Sequence, residues 1–357
     1  MKQEIRALTA LRGIAALAVA LQHFSAAAQD AASGWIPSLA PHGYMAVDFF
    51  FVLSGFIMAY TYADGFERLG ARAWPDFFVR RFARIWPVQA ATVGVLVCAA
   101  WLFPWLSEHP TWLSRPDWGW DLAVNLVMLQ GFGIGYNLNG PSATVSLEFA
   151  AYALFPILLA VALNRRVPVA VLGLAIAAAA ICWQASMEPR LGLASRGVGN
   201  LIVRCLTEFT LGLGAYRVYR MPGLNFLGAD WFAATLSVGC VGSLLLRYDL
   251  PAALMFPALV AAFGRNQGWP ARLAGARLPY FLGVVSYSLY LIHNPMRFAE
   301  FAVLGYFHPA PLEPALALAC AALGAVSAIP VAWLAYRWIE RPGRDVFRGL
   351  MSRKPAR

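Results

Sequence analysis

Residues 7–28 read ALTALRGIAALAVALQHFSAAA. As a helix the run is long enough to cross a hydrocarbon core of about 30 Å, yet it carries Arg12 and His23. Ionisable groups inside a spanning helix are costly, face a polar interior and mark a functional site. Their eleven-residue separation places the side chains roughly 16 Å apart along the axis. Eleven steps of about 100° also return them to nearly the same face. One face of this helix therefore presents a fixed cation near its start and a titratable base deep along it.

The rest of the chain extends this reading. Hydrophobic residues make up 60% of it and charged residues only 13%, about half the charged share of a soluble domain. We expect an all-α, polytopic transmembrane helix bundle. The apolar stretches predict ten spans, at 7–27, 44–62, 86–106, 145–163, 167–186, 201–216, 226–246, 250–264, 279–296 and 314–338. A transmembrane domain over 1–342 is followed by a basic cytoplasmic tail over 343–357, and no cleavable signal peptide is expected ahead of span one. The segment 121–133, DLAVNLVMLQGFG, is too short to span and reads as re-entrant or interfacial.

The basic residues set the orientation. With both termini cytoplasmic, the inner segments hold Lys2, Arg6, Arg68, Arg72, Arg80, Arg81, Arg84, Arg165, Arg166, Arg217, Arg220, Arg265, Arg272, Arg277 and the arginines and lysine of the tail. The outer segments hold only Arg115, Arg190, Arg196, Arg247 and Arg297. That asymmetry obeys the positive-inside rule. The net charge of +10 thus reports topology, and no nucleic-acid partner is expected. The five cysteines, Cys98, Cys182, Cys205, Cys240 and Cys320, fall within predicted spans without metal-ligand spacing and read as small packing residues; no metal site is expected.

Four polar groups recur at similar depth near the outer ends of different spans: His23, Asp48, Glu148 and His293, the last after the hydroxyl-rich Ser286-Tyr287-Ser288-Leu289-Tyr290. A histidine with carboxylates at one shielded level suits general acid–base work. The duller alternative for Asp48 is a helix cap, and Arg204 with Glu208, four apart, reads as a structural intramembrane pair. On the inner side lie Arg12 and the run Arg80-Arg81-Phe82-Ala83-Arg84. Arg81 and Arg84 share a helix face, and guanidinium forks there suit phosphates, although such a cluster also serves as a topology anchor. A ligand with a phosphorylated head and a long reactive arm could span the two clusters.

The same residues carry a family resemblance. Leu11-Arg12-Gly13-Ile14-Ala15-Ala16 through His23 resembles the basic-residue–ten–histidine motif of the acyltransferase-3 family of integral-membrane acyltransferases. GYMAVDFFFVLSG at 43–55, the Arg81/Arg84 pair, Val145-Ser146-Leu147-Glu148 with Tyr152 and Pro156, SYSLYLIHNP at 286–295 and Glu340-Arg341-Pro342 resemble further motifs of that family, in the same order. Ala143 and Thr144 stand where the family commonly has a tryptophan, and Phe149 where a second acid is frequent. The resemblance implies a stand-alone, carbohydrate O-acetylating enzyme in a bacterial inner membrane. Its donor would be acetyl-CoA or another acyl-CoA, its acceptor an extracytoplasmic carbohydrate or glycolipid, with membrane lipid around it and no permanently bound cofactor.

From these residues and that resemblance together we expect Arg12, Arg81 and Arg84 to hold the donor phosphates and His23 to act as general base or acyl relay. Asp48 or Glu148 would orient His23, Ser286 or Tyr287 would donate to the thioester oxygen, and His293 would lie nearby. The competing class is a transporter or flippase for a phosphorylated or lipid-linked metabolite, which charges at the midplane would also suit.

Overall fold

The computed structural model describes residues 3–103, 115–187, 198–308 and 310–352. Lys2, Arg190, Arg196, Arg353, Lys354 and Arg357, which enter the orientation argument, lie outside these residues, as does the end of the third predicted span. The described residues form these helices: α1 (Arg6–Ala31), α2 (Met45–Leu69), α3 (Trp74–Leu102), α4 (Trp118–Leu126), α5 (Ser142–Ala162), α6 (Val167–Met187) and α7 (Val198–Arg220). There follow α8 (Asp230–Leu245), α9 (Asp249–Arg265), the short α10 (Trp269–Ala274), α11 (Arg277–Phe307) and α12 (Pro314–Ala335). A π-turn over Tyr336–Glu340 then leads into α13 (Arg341–Ser352).

Every expected apolar stretch coincides with one of these helices. Among the described residues, five helical stretches are long and apolar enough to cross a membrane: Arg6–Ala31, Met45–Leu102, Ser142–Ala162, Val167–Met187 and Pro314–Phe347. Several helices run beyond the predicted limits. α3 begins at Trp74 rather than near 86, and α11 continues to Phe307. Hydropathy marks the part of a helix that suits lipid, whereas the backbone ladder continues into polar sequence until a breaker stops it.

The chain divides into two compact units, residues 1–15, 44–77 and 150–284 forming the first and residues 16–43, 78–149 and 285–357 the second. In the first unit, α2 and α7 meet backbone to backbone. A Cβ at Gly55 would collide with the carbonyl of Phe209, and one at Gly212 with that of Val52. Small residues at a crossing allow such approach, and dispersion then replaces side-chain interdigitation. Ser54 and Tyr152 share a hydroxyl hydrogen bond of 3.0 Å. Arg265, at the end of α9, donates to the carbonyls of Tyr219, in the last turn of α7, and of Met221 and Leu224 just beyond it, which satisfies acceptors left open at that helix end. Apolar side chains stay exposed along α6 (Val171, Leu172, Ile176) and α8 (Val238, Val241, Leu245). Polar residues such as Asp48, Arg204 and Glu208 are buried. Polar inside and apolar outside is the arrangement a lipid solvent selects.

In the second unit, Phe24, Ala28, Ala317, Ala321 and Ala325 form a core between α1 and α12. Phe347 of α13 packs edge-on against Phe82 and Trp86 of α3. The segment read as re-entrant or interfacial opens in a short helix that braces its neighbours. α4 spans nine residues, about 14 Å and so half a bilayer core. Its C-terminal carbonyls, which lack intrahelical donors, accept from Trp86 Nε1 (Leu126 O, 3.0 Å) and Gln89 Nε2 (Asn125 O, 3.2 Å).

Candidate active site

The site in the second unit begins with a proline. Pro295 lies inside α11 and has no N–H, so the carbonyl of Leu291, four residues earlier, loses its intrahelical donor. Asn139 Nδ2 supplies the missing bond at 2.9 Å. Its Oδ1 in turn accepts from Asn294 Nδ2 at 3.0 Å. Both asparagines are buried, and the pair ties the 136–141 loop to α11.

The loop is held from its other side by α4. Asp121 Oδ1 accepts from Tyr136 N at 2.7 Å, and Asn125 Oδ1 from Leu138 N at 3.2 Å. Asn125 Nδ2 donates to Tyr136 O at 2.7 Å. Asp121 and Asn125 stand four apart on one face of the helix. Gly133 and Gly135, at φ 72° and 69°, supply the left-handed turns that bring the chain back over them. Gln130 Nε2 donates to Ser142 O and Oγ, and Gly131 N to Ser146 Oγ at 2.9 Å. Ser146 of the Val145–Glu148 motif thus anchors the start of the loop.

α11 presents the other wall. Tyr287 donates to Ile85 O at 2.6 Å, Ser288 to Glu340 at 2.8 Å, and Tyr290 shares a hydrogen bond of 2.7 Å with Thr144. With the helix held on these faces, His293 meets His23 of α1. The rings stack with centroids 5.0 Å apart and planes at 19°, and His23 Nδ1 lies 2.7 Å from His293 Nε2.

With both rings neutral, the geometry fixes their tautomers. His293 Nδ1 lies 3.1 Å from the carbonyl oxygen of Leu289. A carbonyl can only accept, so Nδ1 carries the proton and Nε2 of that ring carries the lone pair. His23 Nδ1 must then be the donor, which leaves the lone pair of His23 on Nε2. His293 is wholly buried. His23 lines a cavity of about 260 Å³ together with Tyr136, Asn137, Gly140, Asn294 and Arg297. A base with an oriented, unprotonated nitrogen beside a cavity can remove a proton from a bound hydroxyl.

The remaining predicted residues are distributed as follows. His23 is oriented by His293 where a carboxylate was expected. Asp48 lies in the first unit, fully buried, and its carboxylate accepts from Arg204 Nε (3.0 Å) and Nη2 (2.7 and 2.6 Å). The hydrogen-bonded partner of Arg204 is therefore Asp48, whose carboxylate its planar fork matches bidentately, while Glu208, expected to pair with Arg204, interacts with it by charge. Glu148 is partly exposed on α5 and is not among the residues lining the cavity. Ser286 is buried. Tyr287, expected to face a thioester, gives its proton to Ile85 O, the acceptor that its place on α11 puts within reach.

Of the three arginines, Arg12 donates to Gly283 O at 2.7 Å in the first unit. Arg81 is partly exposed. Arg84 pairs with Glu340 at 3.2 Å, and Arg344 approaches the same carboxylate at 3.9 Å. The π-turn carries Glu340 into the interior, which joins the arginine motif to the Glu340-Arg341-Pro342 motif. Sequence reasoning missed Asp121, Asn125, Asn139, Ser288 and Arg297. An Asp-Asn pair four apart in a short apolar helix, followed by GFGIGYNLNGP, was the signal available for the first three.

Comparison with known proteins bears on this arrangement. The acyltransferase-3 family profile, described as an acyltransferase domain, matches residues 5–337. The chain is similar to Acyltransferase MdmB of Streptomyces mycarofaciens, with 32% identity over 333 residues covering 84% of this chain and 79% of that protein. It is also similar over 91 residues, at 34% identity, to Protein 2 in picA locus of Rhizobium radiobacter, which covers 25% of this chain and 42% of that protein. No solved structure matches the chain significantly.

Proposed function

Because the chain belongs to the acyltransferase-3 family and is therefore a membrane acyltransferase rather than the carrier weighed against it, we propose that it acylates a carbohydrate hydroxyl with His23 as general base. The donor in this reading is acetyl-CoA, presented from the cytoplasm, and the acceptor is an extracytoplasmic carbohydrate or glycolipid at a bacterial inner membrane. Ten spans with cytoplasmic termini belong to the same proposal. The observation that carries it is the His23–His293 pair at the cavity.

The acceptor O–H proton passes to His23 Nε2 as the oxygen bonds to the thioester carbon. Charge that develops on the imidazole is shared along the hydrogen bond to His293. The C–S bond then breaks, and the CoA sulfur takes the proton back from His23. Transient acylation of His23 itself is the variant of this scheme that a covalent intermediate would reveal. Arg81 and Arg84 are proposed to hold donor phosphates, as is Arg12 in the first unit. Arg84 would share its guanidinium between Glu340 and the phosphate, since Arg presents five donors.

Release of free CoA from acetyl-CoA by the purified full chain in lipid nanodiscs, with a surface-glycan extract as acceptor, tests the reading. His23→Ala should lower turnover by about 10²–10⁴-fold, the range of a lost general base, with unchanged melting temperature. Turnover within threefold of wild type in that variant would remove His23 from the chemistry.

A further inference from the structure

Arg297 stands on α11 four residues after His293, one turn further along the same face. It lines the cavity that His23 lines. Its Nε is buried with no hydrogen-bond partner among the described residues, and its guanidinium carbon lies 4.4 Å from the centre of the Phe298 ring. Asp30 is a carboxylate whose charge acts on it. Its own charge acts on both imidazoles. A largely desolvated guanidinium beside a base, with donor capacity left open, is arranged to receive negative charge.

The reaction generates such charge. When an acceptor oxygen attacks a thioester, the carbonyl π electrons move onto oxygen, and an oriented donor in a cavity of low dielectric lowers that barrier. The tyrosine expected to supply this donor, Tyr287, gives its proton to Ile85 O. We propose that Arg297 fills this role, donating to the oxyanion of the tetrahedral intermediate while His23 holds the acceptor's proton. On collapse the oxygen electrons re-form the carbonyl, the C–S bond breaks and the thiolate recovers the proton from His23. The inference rests on the acyl-transfer reading above.

The test measures CoA release by the full chain in nanodiscs, with acetyl-CoA as donor and methyl glucoside or glucuronate as acceptor. Arg297→Gln should lower kcat by about 10²–10³-fold, the size of one lost oxyanion donor. KM for acetyl-CoA should stay within twofold, and the loss should be equal for the neutral and the anionic acceptor. Arg297→Lys, which keeps the charge without the fork, should recover at least tenfold of that loss and guards against a folding defect in the Gln variant. A loss confined to glucuronate would make Arg297 a reader of acceptor charge and overturn the proposal, as would an unchanged kcat. A wild type that turns over neither acceptor would remove the functional reading and this inference together. Wild-type turnover with an indifferent Arg297→Gln removes the inference alone.

Discussion

At the scale of single residues, the site depends on a carbonyl without a helical partner. Pro295 removes the donor for Leu291 O, and Asn139 replaces it. Asn139→Ala leaves that buried carbonyl and the Asn294 amide short of a partner each, and an unmet buried group costs about 1–3 kcal/mol. We expect a lower melting temperature in nanodiscs and at least tenfold slower turnover, because the 136–141 loop loses its tie to α11. A variant as stable and as active as wild type would show that water or the helix itself satisfies Leu291. In the proposed mechanism His293 acts through His23 by fixing its tautomer. His293→Gln retains a side-chain acceptor for the His23 Nδ1 proton, and should keep more activity than His293→Ala by about tenfold. Equal losses would show that hydrogen bonding between the rings is not what His293 contributes. His23 and its depth were readable in the sequence because a histidine in a lipid-length apolar run is rare. Its partner's nitrogen was not readable, since a tautomer follows from a carbonyl at 3.1 Å and not from spacing.

At the scale of elements, the α2–α7 contact combines two physical solutions. Gly55 and Gly212 let the backbones touch, and Asp48 with Arg204 forms a buried ion pair. Removing one member of a buried pair leaves a bare charge and costs about 3–5 kcal/mol, whereas replacing both with apolar groups is often nearly neutral. Thermal unfolding should therefore show Arg204→Met strongly destabilised and the double variant Asp48→Leu with Arg204→Met close to wild type. Additive losses in the double variant would mean that the pair is a net stabiliser on its own account. The sequence placed Arg204 and Glu208 on one helix and suggested that they pair. Helical periodicity reveals neighbours along a helix, but the fork of Arg204 reaches a carboxylate 156 residues away. The role of α4 was hidden for a related reason. Its nine residues look like a failed span until the backbone groups of residues 136–138 are seen to bond to Asp121 and Asn125.

At the scale of the whole molecule, apolar composition and the basic-residue asymmetry are read as ten crossings with both termini in the cytoplasm. In a cysteine-free background, Asn137→Cys should react with a membrane-impermeant maleimide added outside intact cells, and Arg80→Cys only after the cells are opened. Labelling in the reverse pattern would invert the orientation and, with it, the proposed entry side of donor and acceptor.

The sequence by itself determined the helical class, the membrane solvent and the family, and singled out His23. Each of these follows from local composition or from short runs of residues, and none changes when the helices are rearranged. Only the tertiary structure decided which nitrogen of His23 is free, that Asp48 serves Arg204, that Glu340 engages Arg84 and that Arg297 joins the cavity. These outcomes depend on groups far apart in the chain meeting within about 3–4 Å, a distance that hydrogen bonds and ion pairs require and that no local pattern encodes.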